Sequence, residues 1–338
     1  MKNLTLLLLL IFGIQVSKSQ ELESILLAAT EDANKLTKAY IKPAMTGLIY
    51  GMSSGWYHTA EVHKKLGFDI SIGLNASFVP TEDEIFTLSG LESVNLPLGS
   101  VTSPTIAGSG VGSIINVGTI INGQPVTTSF EMPEGIQDDL PLNAIPTPAI
   151  QVSLGLPYKF DVMLRLVPKV GDDDVKGNLF GLGLKKEITS IFGPLEKLPL
   201  HVSILGAFTT MGVDYNIDGS EIPGQNQLAE FKLNSLTIQG IASLNFPIIN
   251  IYGGVGYSGG NSSLKMLGSY VLEYNTGLPS PNDVVSETVN DPIDLDFDAS
   301  GFGATLGARL SLGFFKIYGS YTLQEYNTFS AGMAFSFR

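Results

Sequence analysis

Gly51-Met52-Ser53-Ser54-Gly55 is the stretch of this chain that most resembles covalent machinery. It matches the nucleophile elbow, in which a sharp strand-to-helix turn exposes a serine hydroxyl. Such a serine needs an acid and then a histidine later in the chain, on a parallel α/β sheet. Downstream of Ser53 in a separate part of the chain there is only His201, and its surroundings read as strands. The glycines are therefore expected to serve a turn beside a helix, and the chain is expected not to be an enzyme. Ser53 with His201 is kept as a lipase alternative.

Metal chemistry fares no better. His58 and His63 flank Glu61, but a five-residue spacing does not put two imidazoles on one helical face, and no third ligand stands out. Asp172-Asp173-Asp174, and the aspartates at 291, 294, 296 and 298, offer hard oxygens for calcium without the spacing of a calcium loop. Gly253-Gly254-Val255-Gly256 and Gly108-Ser109-Gly110 lack the lysine or the βαβ setting of phosphate loops. No cofactor and no metal are expected.

The elements that would carry these residues follow from composition. Of 338 residues 44% are hydrophobic and only 15% charged, against roughly 25% charged in soluble domains. Mean hydropathy is +0.23, yet after residue 14 no run approaches the ~18 apolar residues a spanning helix requires. For an apolar chain with little helix, a closed barrel remains, because hydrocarbon leaves no backbone N–H or C=O without an internal partner. There is no cysteine, which excludes disulfides and thiolate metal sites. A net charge of −13 argues against a nucleic-acid partner. Lys2, the apolar run Leu4 to Ile14 and Ser17-Lys18-Ser19 read as a cleaved signal over residues 1–19.

Leu22, Ile25, Leu26, Ala29, Ala33, Leu36 and Tyr40 fall on one helical face, so residues 20–45 are expected to be an amphipathic helix stopped by Pro43, in the lumen or at the periplasmic rim. From Leu66 the period becomes two. Phe68, Ile70, Ile72, Leu74, Ala76 and Phe78 alternate with polar or small residues over a length that suits a tilted membrane strand. Similar runs recur at Phe160–Leu166, at Phe302–Leu312 and at Phe329–Phe337. Weaker ones fall at 149–157, 177–185, 199–212, 229–246, 248–258, 264–275 and 315–323, with a short helix at 185–192.

The expectation is an all-β fold, a transmembrane antiparallel β-barrel of about 14 strands, or 12, over residues 46–338 in the cell outer membrane. Fourteen requires the stretches 46–52 and 113–131 to contribute. Long loops are expected near 80–148 and 278–298. The uncharged stretch 93–130 is either a pair of further strands or an excursion over the barrel mouth. Asp161, Arg165 and Arg309 should face the lumen, since lipid excludes charge. Trp56 and Tyr57 suggest a headgroup-level position.

The strings Asp32-Ala33-Asn34-Lys35-Leu36, Gly55-Trp56-Tyr57-His58-Thr59-Ala60, Leu66-Gly67-Phe68-Asp69 and Gly181-Leu182-Gly183-Leu184-Lys185-Lys186 resemble an uncharacterised family of Bacteroidota outer-membrane barrels. Its layout is similar to that of FadL-type transporters of hydrophobic compounds, although no signature motif is shared. The aromatic C-terminal strand looks like the signal read by outer-membrane insertion machinery, with Arg338 departing from the usual terminal aromatic. The resemblance implies a passive channel or transporter for small hydrophobic solutes, with outer-membrane lipid as surroundings. A structural or accessory barrel bound to other envelope proteins is the alternative.

Overall fold

The computed structural model describes residues 24–95, 101–121, 123–217, 222–280 and 283–337. The signal segment 1–19 and Arg338 lie outside the described residues. One long helix, α1 (Thr30–Ser53), precedes every strand. The strands are β1 (Phe68–Ser77), β2 (Ile85–Leu88), β3 (Val94–Asn95), β4 (Val101–Pro104), β5 (Ile114–Ile121), β6 (Gln124–Glu131), β7 (Ile145–Leu156) and β8 (Phe160–Gly171). They continue with β9 (Val175–Glu187), β10 (Leu200–Asn216), β11 (Gly224–Asn245), β12 (Ile249–Asn275), β13 (Val284–Asn290), β14 (Ile293–Leu312), β15 (Phe315–Leu323) and β16 (Thr328–Phe337).

Eleven strands form one antiparallel sheet in the order β11-β10-β9-β8-β7-β1-β16-β15-β14-β12-β13, and β11 also pairs with β12, which closes the sheet on itself. The fold is a β-barrel. β13 continues the line of β14 along β12, in the same register on both sides of Asp291-Pro292. The ring itself therefore has ten positions, fewer than the fourteen or twelve that the runs suggest. The difference has three sources. Residues 46–52 belong to α1, residues 114–131 pair among themselves outside the ring, and the runs 248–258 and 264–275 are one strand, β12.

Within the lower part of the ring the alternation is that of a barrel in oil. Phe68, Ile70, Ile72 and Leu74 point outward and are exposed, whereas Asp69, Ser71, Asn75 and Ser77 are buried inside. Leu306 and Leu310 on β14, Ile249, Ile251 and Val255 on β12, and Phe335 and Phe337 on β16 extend this apolar belt round the ring. On β14 it runs from Phe302 to Leu312, ten steps of ~3.3 Å, or roughly 25 Å of height at a tilt near 40°.

Above the belt the phase reverses. On β14, Ile293, Leu295, Phe297 and Ala299 are buried inside, and Asp294, Asp296 and Asp298 face out. Phe231 and Leu233 on β11, and Tyr270, Leu272 and Tyr274 on β12, are likewise buried. Of residues 278–298, expected as a solvated loop, Val284–Asn290 and those from Ile293 onward are thus strand. An aqueous barrel wall keeps its acids outside, and a sequence of alternating acids reads as loop when one phase is assumed throughout.

α1 runs through Pro43 rather than stopping there. The lost i−4 hydrogen bond costs on the order of 3 kcal/mol. Burial of Met45, Ile49, Tyr50 and Met52 in the apolar core of the upper barrel offsets it. Gly47 and Gly51 let the helix lie directly on β7, where a Cβ would meet Ile145 and Thr147. The described residues between β1 and β7 form a cap in which β2 pairs with β4, and β5 pairs with β3 on one side and β6 on the other. Within the uncharged stretch, the described residues therefore include strands β3 to β6, all outside the ring. Val94, Ile115, Val117, Val126 and Phe130 join the helix in one core. Asp32, buried on α1, holds the cap by accepting from the Glu92 and Ser93 N–H groups at 2.9 and 2.7 Å.

The candidate luminal site

Between Ser54 and Gly67 the chain has no helix or strand and threads down the lumen to the start of β1. The residues of this segment bond to many strands of the ring. Arg165, 1% exposed, receives the end of α1: its two Nη groups donate to the Met52 and Ser54 carbonyls at 3.2 and 3.1 Å, and Nε donates to Gln151 Oε1 at 3.1 Å. The guanidinium lies 3.8 Å over the ring of Trp56, a cation–π contact in a dry site. Gly181 and Gly183 make room for that ring. Trp56 and Tyr57 are buried in the lumen and not at the headgroup level, because stacking and inward glycines hold the indole more specifically than an interface would.

Below Trp56 lies an ionic cluster. Asp69 Oδ2 on β1 is 3.2 Å from Nε2 of both His58 and His63. Arg309 on β14 approaches His58 Nδ1 at 3.1 Å. Asp161 on β8 faces His63 Nδ1 at 3.1 Å and accepts the His63 N–H at 2.9 Å. Lys185 on β9 pairs with Asp161 at 3.1 Å and donates to the Glu61 carbonyl at 2.8 Å. Asp161 and Lys185 are almost wholly buried. Charges taken this far from water persist only when paired and hydrogen-bonded.

Further contacts close the remaining circumference. Ser243 Oγ on β11 accepts the Ala60 N–H at 3.0 Å, Asn250 on β12 donates to Thr59 Oγ1 at 3.1 Å, and Glu187 accepts the Val62 N–H at 3.3 Å. The segment leaves the lumen where the Leu66 N–H donates to the Gly155 carbonyl and the Gly155 N–H to Gly67, both at 2.8 Å.

Asp161, Arg165 and Arg309 all project inward, but they do not form one group. Arg165 caps the helix, and Asp161 and Arg309 belong to the cluster below. Asp69, Lys185, His58 and His63 complete that cluster and were not singled out as lumen residues. The signal for Asp69 and Lys185 was available: each sits on the polar phase of a belt strand, as Asp161 does. The histidines gave none, because their spacing is meaningful only on a helix and they lie on extended chain.

The other candidates separate. Ser53 Oγ donates to the Ile49 carbonyl within the helix, and His201 Nδ1 lies 3.2 Å from Glu187 on the far side of the cluster, so no hydrogen bond joins serine to histidine. Asp172 accepts the N–H groups of Asp174 and Val175 at 3.1 and 2.9 Å. The Val175 bond, with that from Asp174, holds its carboxyl below the usual range despite some desolvation, as in a self-contained turn. Among the described residues no group of three or more His, Asp or Glu side chains is arranged to hold a metal ion.

The profile of a family of unknown function, DUF6588, matches residues 1–337. No curated protein matches the chain. Solved structures with some likeness include the attachment invasion locus protein Ail of Yersinia pestis, at 10% identity and a TM-score of 0.27, covering 81% of this chain and 100% of that one. The translocator domain of the autotransporter NalP from Neisseria meningitidis gives 8% and 0.30, covering 82% and 90%. A Pseudomonas aeruginosa FadL homologue gives 10% and 0.21, covering 89% and 96%. At these scores no property passes from them to this chain.

Proposed function

We propose, for a chain that belongs to the DUF6588 family of unknown function, that it is an outer-membrane barrel passing small hydrophobic solutes and not a water-filled pore. The observation that carries this reading is the division of the lumen. The lower half is shut by the threaded segment and its buried ions, whereas the upper half is filled by α1 packed against apolar side chains such as Leu179, Met211, Val213 and Leu233. A polar solute has no wet path through such a lumen; an apolar one would share hydrocarbon surroundings with the α1 core.

The belt supports a bilayer setting, and the arrangement of connections supports its orientation. Tight turns at Pro157–Lys159 and Phe246–Ile248 share one end with Phe337, and the cap occupies the other. Short turns face the periplasm in such barrels, so the cap faces outward. Export by residues 1–19 and the Bacteroidota origin implied by the resemblance are part of this proposal, as is the absence of catalysis.

The test is uptake of a fluorescent long-chain fatty-acid analogue by cells with and without the protein, beside swelling of proteoliposomes in arabinose. The reading predicts faster uptake and no swelling. Swelling without uptake contradicts it, and esterase activity of the pure protein abolished by Ser53→Ala contradicts the non-enzymatic part.

The sewn lower lumen also favours a second reading, an accessory barrel for other envelope proteins. That reading predicts no uptake and a stoichiometric partner on gentle solubilisation.

A further inference from the structure

The end of the barrel with the short turns carries strain in one place. Among the described residues seven non-glycine residues have a left-handed backbone, and three of them, Leu66 (φ 64°), Tyr158 (φ 64°) and Lys159 (φ 58°), are neighbours. The Leu66 N–H donates to the Gly155 carbonyl at 2.8 Å, which sets Leu66 beside the turn Pro157–Lys159 between β7 and β8. Glycine or asparagine adopts this backbone with least strain, whereas a branched, aromatic or long side chain adopts it only where its surroundings hold it there. The strained residues are also bare: Tyr158 is 85% exposed and Leu66 59%.

Lysines surround them. Leu156, Phe160, Lys186 and Ile204 stand in one row across β7, β8, β9 and β10, on the phase that faces lipid. Lys186 follows Leu182 and Leu184 down that face, so a charge stands where the belt ends. Its Nζ lies 4.2 Å over the Phe160 ring and donates to the Tyr158 carbonyl, so the strained turn aims the ammonium. Lys64 and Lys65, both exposed, precede Leu66 in the chain, and Lys159 completes the group. The carboxylates described at this end are engaged elsewhere: Glu61 accepts from Asn245, Asp161 pairs with Lys185, and Glu187 with Lys159 and His201. In a chain with 32 acidic residues against 19 basic, Lys64, Lys65 and Lys186 nonetheless have no carboxylate partner among the described residues.

These features fit one occupant. Apolar side chains continuous with the belt reach acyl chains, and cations at the belt's lower edge stand at headgroup depth, where lysine stems follow hydrocarbon and ammonium groups reach phosphate. A protein docking from the periplasm meets the turns end-on, whereas Lys186 faces sideways, into the bilayer. The Tyr158 carbonyl takes one of the three Lys186 protons and leaves two for phosphate oxygens. Backbone strain held at an exposed turn is a recurrent feature of ligand clamps.

We infer that Lys64, Lys65, Lys159 and Lys186, with Leu66 and Tyr158, form a binding site for the headgroup of an anionic glycerophospholipid of the inner leaflet. The inference rests on the bilayer setting and orientation above and is independent of any solute. The test is native mass spectrometry of the purified, delipidated protein in nonionic detergent, titrated with phosphatidylglycerol or with phosphatidylcholine. Half-saturation by phosphatidylglycerol is expected at a concentration about fivefold lower, a preference that weakens with added salt. Lys64→Gln, Lys65→Gln and Lys186→Gln together should abolish the preference, and arginine at the same three positions should keep it; folding is checked by heat-modified gel mobility. Should the triple variant fail to fold, the exposed pair Lys64→Gln and Lys65→Gln alone is expected to lower the preference about twofold. Equal binding of the two lipids by the unaltered protein, or a preference that survives in the folded glutamine variants, overturns the site and leaves the barrel in its membrane. An envelope protein lost from the glutamine variant while lipid binding is unchanged overturns it too, in favour of a protein dock. A chain that folds only in the absence of detergent sinks the bilayer setting as well.

Discussion

The two halves of β14 obey opposite rules. From Phe302 to Leu312 the large apolar side chains face out and glycine, threonine and arginine face in; from Ile293 to Ala299 the apolar side chains face in and aspartates face out. One strand thus serves a lipid-facing barrel and a water-facing barrel, with the change near Ser300. Since a two-residue period fixes which side chains share a face but not what that face touches, the switch has to come from solvent. The same division holds inside: charges fill the lower lumen, and oil fills the upper.

The heaviest way to break this comparison is to unbalance the lower lumen. Lys185→Ala leaves Asp161 buried beside a single imidazole and is expected to cost about 3–5 kcal/mol. Asp161→Leu with Lys185→Met should recover much of that loss. Trp56, the only tryptophan, sits beside Arg165, and its fluorescence during urea unfolding reports both variants.

Next comes the belt. Leu306→Arg places a charge where 68% of the side chain faces out, and about 2–4 kcal/mol is expected if that surroundings is hydrocarbon. The same folding titration in vesicles measures it.

The upper end gives a smaller effect. Tyr326 donates to Asp83 Oδ2 at 2.6 Å and ties the cap to the β15–β16 turn. Burial, and then that bond, raise its hydroxyl above the usual value. A raised value means the folded state holds this proton more tightly, so the contribution is present below about pH 10 and is lost as pH rises toward the folded value. Tyr326→Phe should cost about 1.5 kcal/mol and remove that alkaline dependence, read by proteolysis of the cap. Smallest of all, Asp296→Arg, on the outward face above the belt, should change stability by no more than about 0.5 kcal/mol.

Much of the belt was legible because lipid imposes one phase on long strands: β1, β8, the lower half of β14 and β16 follow directly from alternation. The upper barrel was not, since acids at 294, 296 and 298 look like loop until the phase is allowed to invert. Pro43 misleads for a related reason: its local penalty is real, and the buried surface beyond it is larger. The luminal cluster was half visible. Asp161 and Arg309 stand on belt strands whose faces can be assigned, whereas His58 and His63 become neighbours only because Asp69 lies between them in the folded lumen.

A cysteine scan along β14, one substitution at a time in a cysteine-free chain, tests the inversion most directly. In native membranes, a water-soluble maleimide is predicted to label positions 294, 296 and 298 and to spare 293, 295, 297 and 299, then to spare 302, 304, 306, 308 and 310. Labelling of those last five in membranes, or a processed chain that stays dissolved with them protected inside, would contradict the account.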